Sequence, residues 1–99
     1  QLQSVGKAGF MNCPIEKINL PNLQNVGNYG FSGCQMSKVN LPNLNQLGDY
    51  SFNNCKRLKK FSAQKLNKVG KLCFSKCSKL FCSNCKFGAE LNNPQIKRK

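Results

Sequence analysis

Apolar positions along this chain recur every 21 or 22 residues. Phe10, Phe31, Phe52 and Phe74 form one column, and Cys13, Cys34, Cys55 and Cys77 another, each Cys three places after its Phe. Val5, Val26, Leu47 and Val69 form a third, each followed at once by Gly6, Gly27, Gly48 or Gly70. Leu2, Leu23, Leu44 and Leu66 form a fourth. A fixed period in the low twenties predicts stacked coils, one supersecondary unit per repeat, each burying its apolar side against its neighbours. Residues one period apart then touch in successive layers. The Phe ladder carries most of the buried apolar area, roughly 150–250 Å² per ring.

Each unit has three parts. A short extended segment alternates apolar and polar residues, with Ile18 and Leu20, Val39 and Leu41, and Phe61 and Ala63 on its inner face. Period two marks a strand buried on one side, so one such strand per coil predicts a single narrow parallel sheet. A corner follows at Pro21-Asn22 and Pro42-Asn43, where Pro has no N–H to give to a ladder. The return arm, Leu-x-x-Val-Gly-x-x-x-Phe-x-x-Cys, has a spacing that is neither helix nor strand, and a short 3₁₀ turn fits it best. The repeated Gly is expected to supply a positive φ or a close backbone approach.

These units resemble the BspA-type leucine-rich repeat, whose pattern runs L-x-x-I-x-I-P and then L/V-x-x-I-G-x-x-A-F-x-x-C. The resemblance covers Leu2 to Leu80 in four units, with the Gly, Phe and Cys columns all in place. The units are shorter than the usual length of about 23 residues, and the pattern breaks down after Leu80. The resemblance implies an α/β-type repeat solenoid. Its coil is right-handed, with short parallel strands on the concave face and irregular or 3₁₀ turns on the convex face. It also implies a surface or secreted protein that binds macromolecules, with no catalytic residues in the repeat.

Composition adds a charge. Fourteen Lys and two Arg face only Glu16, Asp49 and Glu90, for a net charge of +13. Such an imbalance favours acidic proteins or polyanions as partners. The dominance of Lys over Arg weakens a nucleic-acid reading, because bidentate phosphate and base recognition prefers Arg. A bias of the coding sequence toward Lys and Asn is the bland origin of much of that charge.

The charge maps onto columns. Residues between the inward strand positions face outward in three rows. Lys17, Lys38 and Lys60 form the first, continuing into Cys82; Glu16, Ser37, Lys59 and Phe81 form the second; Asn19, Asn40, Ser62 and Asn84 form the third. The functional reading is a strip for an anionic or polar partner, made by Lys17, Lys38, Lys59, Lys60, Asn19, Asn40 and Phe81. The plain alternative is a solvated face whose Lys guard against edge pairing, with Asn residues bridging strands structurally.

Seven Cys invite a metal or disulfide reading, and Cys73, Cys77, Cys82 and Cys85 cluster as C-x3-C-x4-C-x2-C. The coil period explains them otherwise. Cys77 completes the Cys column, Cys73 takes the place of Gly9, Gly30 and Ser51, and Cys85 that of Leu20, Leu41 and Ala63. In an extended strand Cys82 and Cys85 point to opposite faces, against a shared metal. The Cys ladder reads as reduced thiols acting as small buried hydrophobes, since parallel side-chain vectors disfavour the disulfide torsion. No metal or cofactor is expected.

Catalytic machinery is not recognisable: there is no His, no carboxylate pair and no nucleophile beside a base. No small-molecule substrate is expected. No run approaches the ~20 apolar residues of a membrane span and no signal peptide is visible. Gln1 opens in mid-repeat, as expected of a processed chain or a piece of a longer solenoid. The compartment stays open, surface or secreted by resemblance, cytoplasmic if every thiol is reduced. The expected organisation is one solenoid domain over 1–91 and a basic tail over 92–99. Two functions follow: a non-enzymatic interaction module that binds a protein with an acidic patch through the strand face, or a basic accessory protein on RNA.

Overall fold

The structure, a computed structural model, describes residues 2–82 and the pair 97–98. Asn84, Cys85 and most of the expected cap and tail lie outside the described residues.

Each coil contributes short extended pieces that pair in parallel with those of the next. One sheet joins β1 (Ser4–Val5), β2 (Asn25–Val26), β4 (Gln46–Leu47) and β6 (Lys68–Val69) in that order. A second joins β3 (Lys38–Asn40), β5 (Lys60–Ser62), β7 (Phe81–Cys82) and β8 (Lys97–Arg98). The sequence predicted a single sheet, at the position of the second. The first sheet sits at the start of the return arm, where two-residue strands carry no alternation to read. Its register pairs Val5 with Val26, Val26 with Leu47 and Leu47 with Val69, one coil apart. No strand forms over 15–20, so the extended segment expected around Ile18 and Leu20 stays outside the sheet.

The return arm is a staircase of turns; among the described residues no 3₁₀ helix forms there. Alternate N–H groups close local turns, as in Gly30 N to Gly27 O at 3.0 Å and Cys34 N to Phe31 O at 3.3 Å. The N–H groups between them reach the next coil, as in Tyr29 N to Asp49 O at 2.9 Å and Phe31 N to Ser51 O at 2.8 Å. Each turn that opens at the column Gly or at Phe holds its third residue in the left-handed region, the mark of a type II turn. One column of such residues is Ala8, Tyr29, Tyr50 and Leu72; the other is Asn12, Gly33, Asn54 and Lys76. The second column largely uses the residue types that tolerate this conformation, whereas the first does not.

The column glycines preceding these turns are needed for space. None has a positive φ. A Cβ on Gly48 would stand 2.6 Å from Asn28 N and 2.7 Å from Gly27 C, backbone atoms of the coil before. Of the two expected causes, close approach is the one found.

Inside, Phe10, Phe31, Phe52 and Phe74 stack face to face, with ring centroids 5.3, 5.3 and 5.6 Å apart. Phe31, Phe52 and Phe74 are fully buried, and Phe10 partly. Phe61 packs its edge on Phe52 and Phe74. Met36, Leu58 and Leu80, one period apart, are fully buried as a further column. The corners form where Pro predicted, with Leu23 N bonded to Leu20 O and Leu44 N to Leu41 O, both at 3.2 Å. Asn43 Nδ2 donates to Pro21 O at 2.7 Å, tying one corner to the next.

Candidate functional site

The second sheet displays the cationic strip. Alternation along β3 buries Val39 and leaves Lys38 and Asn40 exposed. β3 and β5 pair Lys38 with Lys60, Val39 with Phe61 and Asn40 with Ser62. Lys59, next to β5, is exposed as well. Adjacent rungs lie about 4.8 Å apart, so the two ammonium groups repel mildly and salt screens them.

Lys17 and Asn19 join this group less directly. They lie exposed on the unpaired segment 16–19, across an open hollow of about 470 Å³ from β3. Lys17, Lys38 and Arg57 bring positive charge to its lining, Glu16 the opposing carboxylate, and Asn19 and Gln35 their amides. Arg57 was absent from the predicted strip because its column, Pro14, Gln35, Arg57 and Lys79, has no uniform chemistry to notice.

The far end of the strip differs from expectation. The first row was to pass from Lys60 into Cys82, with Phe81 in line with Lys59. The register sets Phe81 against Lys60. β8 then pairs Lys97 with Phe81 and Arg98 with Cys82.

Among the described residues the polar ladders lie away from the strand face. They run along the first turn of the arm, where Asp49 N donates to Asn28 Oδ1 and Lys71 N to Asp49 Oδ1, both at 2.8 Å. At the corner Lys65 Nζ donates to Asn43 Oδ1 at 3.0 Å. On the turn side Tyr29 and Tyr50 stack 5.0 Å apart and nearly parallel.

The thiols are structural. Cys13, Cys34, Cys55, Cys73 and Cys77 are thiols outside any disulfide, all but Cys13 buried. Each buried member of the column donates to the carbonyl of the Phe one coil back: Cys34 Sγ to Phe10 O at 3.1 Å, Cys55 Sγ to Phe31 O at 3.2 Å and Cys77 Sγ to Phe52 O at 3.1 Å. A small residue with a weak donor is what the position needs. Burial pushes the Cys34 thiol from an ordinary 9.0 up to about 11. Cys55, hydrogen-bonded to Cys77 and buried, is pushed up too. A raised folded-state pKa means that stability is complete below the unfolded value and lost as pH climbs toward the folded one. Denaturant midpoints are therefore expected to fall between pH 9 and 11, and Cys34→Ala is expected to flatten that fall. An equal slope in the variant would remove Cys34 as its source. Among the described residues no group of His, Cys, Asp or Glu is placed to hold a metal ion, and no helix is long and apolar enough to cross a membrane.

The comparisons agree with these columns. A family model described as the BspA type leucine rich repeat region, written for six copies, matches residues 1–94. The chain belongs to the BspA-type leucine-rich repeat family. Its match takes in all four units and both sheets up to β7. No curated protein and no solved structure matches the chain. BspA-type repeats form a repeat family of protein interaction, whose shared Leu, Val, Phe and Cys positions are buried here in the second and third units. What distinguishes this BspA-type chain is therefore on its outside, in the Lys, Asn and Arg side chains above.

Proposed function

We propose that this chain is a non-enzymatic interaction module that binds a protein with an acidic patch through the face of the second sheet, as a scaffold or surface adhesin. The observation that carries this reading is the pairing of Lys38 with Lys60 on adjacent rungs, both exposed. Lys59 and Asn40 stand beside them, and Lys17, Asn19 and Arg57 extend the group. Phe81 pairs with Lys60 on the next strand of the same sheet. A surface with one charge sign attracts the opposite sign and speeds encounter, while solvent and salt keep each exposed contact modest.

Reversing Lys17, Lys38 and Lys60 together to Glu is expected to leave the melting transition in place, because all three are exposed. It should weaken binding of a hexaglutamate peptide, read by fluorescence anisotropy, more than tenfold. Unchanged affinity would remove the strip as the site. RNA held by about six phosphate contacts would instead weaken roughly 10³-fold between 50 and 200 mM salt. The acidic-protein reading predicts that a hexauridylate probe binds more weakly than hexaglutamate.

A further inference from the structure

The hollow exists because a ladder lapses. Between the second and third coils, Lys59 N and Lys60 N both donate to Ser37 O, at 2.8 and 3.2 Å. One coil earlier Ser37 and Lys38 hold the equivalent places, yet no matching bond to Glu16 forms among the described residues. The last bond between these coils on the way in is Gln35 N to Ile15 O at 3.1 Å. Beyond it β3 is the edge strand of its sheet. Two ammonium groups and one guanidinium line this space together, with Lys17, Lys38 and Arg57 beside Ser37.

From this convergence we propose that the hollow seats one acidic side chain of the partner, an Asp or Glu carboxylate, with Arg57 as its specificity-determining contact. The assignment rests on the acidic-protein reading above and narrows it to an anchor. A carboxylate has two oxygens with room for several donors, and a guanidinium matches it with two parallel bonds. Arg57 is one of only two arginines among the 16 cationic residues, so the planar fork is rare on this surface. A phosphodiester strand fits less well. Among the described residues the lapse occurs once, between the first and second coils, so it offers a socket and not a track. Glu16 lines the same wall and repels a run of anions, and no aromatic ring is present there to stack a base.

The test uses the whole chain with hexaglutamate and hexauridylate probes, read by anisotropy at physiological salt. Arg57→Gln is expected to weaken hexaglutamate about tenfold. Arg57→Lys, which keeps the charge and loses the fork, is expected to weaken it about threefold. Glu16→Gln should strengthen it roughly twofold by removing the competing carboxylate. Lys68→Gln, exposed on the first sheet, is the remote control. An Arg57→Gln loss no larger than that of Lys68→Gln would overturn the anchor. If Lys59→Glu with Lys60→Glu still abolished binding in that case, the strip would stand without it. No measurable hexaglutamate binding by the unaltered chain would sink the strip and the anchor together, and tighter binding of hexauridylate would overturn the carboxylate assignment.

Discussion

Phe52→Ala is expected to destabilise the chain by about 3–5 kcal/mol, the largest effect of any single truncation here. Phe52 is fully buried and has a ring on either side of it, Phe31 at 5.3 Å and Phe74 at 5.6 Å, with Phe61 at its edge. Removing it opens a void between two coils that cannot close, because hydrogen bonds above and below hold the coil spacing. A domain of this size has a total stability of about 5–15 kcal/mol. At about 4–8 °C per kcal/mol the melting temperature should fall by at least ~12 °C. Phe10→Ala should cost clearly less, since Phe10 is only partly buried and stacks on one ring. Equal losses at the two sites, or a negligible one at Phe52, would contradict an interior ladder. Thermal and urea unfolding of both variants decides it.

Gly48→Ala is the second. The added methyl would lie 2.6 Å from Asn28 N and Asn28 Oδ1 and 2.7 Å from Gly27 C. Real Cβ atoms do not approach backbone that closely, so two coils must part. Overpacking of this kind costs about 1–3 kcal/mol, occasionally more, and here two of the three obstructing atoms are main chain with no rotamer to yield. Gly6→Ala is the internal control, because nothing lies within 4 Å of a Cβ there. It should change stability by less than about 0.5 kcal/mol. The contrast isolates coil-to-coil contact from the loss of glycine's flexibility in the unfolded chain, which is common to both substitutions.

The buried columns were legible because burial in a coil stack repeats with the chain. Phe, Cys, Val-Gly and Leu recur at one period, and the structure puts each column on one line. What failed was whatever one unit does differently from the next, or whatever the backbone does without a side-chain signature. The first sheet was missed because Ser4–Val5, Asn25–Val26, Gln46–Leu47 and Lys68–Val69 are too short to alternate. The left-handed residues were missed because Tyr29, Tyr50, Leu72 and Lys76 are not types that favour that conformation. Phe81 slipped a register because the pattern changes after Leu80 and the column count was carried across the change. Arg57 and the lapse beside β3 belong to one coil only, so no periodic argument reaches them. The Cys column was read as small hydrophobes, which its burial supports, but the thiol-to-carbonyl bonds had no signal in the sequence.

Everything rests on residues one period apart meeting in successive layers, and ring-to-ring NOEs test that most directly. In a sample protonated only at Phe ring positions in a deuterated background, the stack predicts cross-peaks linking Phe10 to Phe31, Phe31 to Phe52 and Phe52 to Phe74, whose centroids lie 5.3, 5.3 and 5.6 Å apart. Phe61 should connect to both Phe52 and Phe74. Phe10 should show none to Phe52 or Phe74, two or three coils away. Missing cross-peaks between successive rings, or strong ones that skip a coil, would contradict the account.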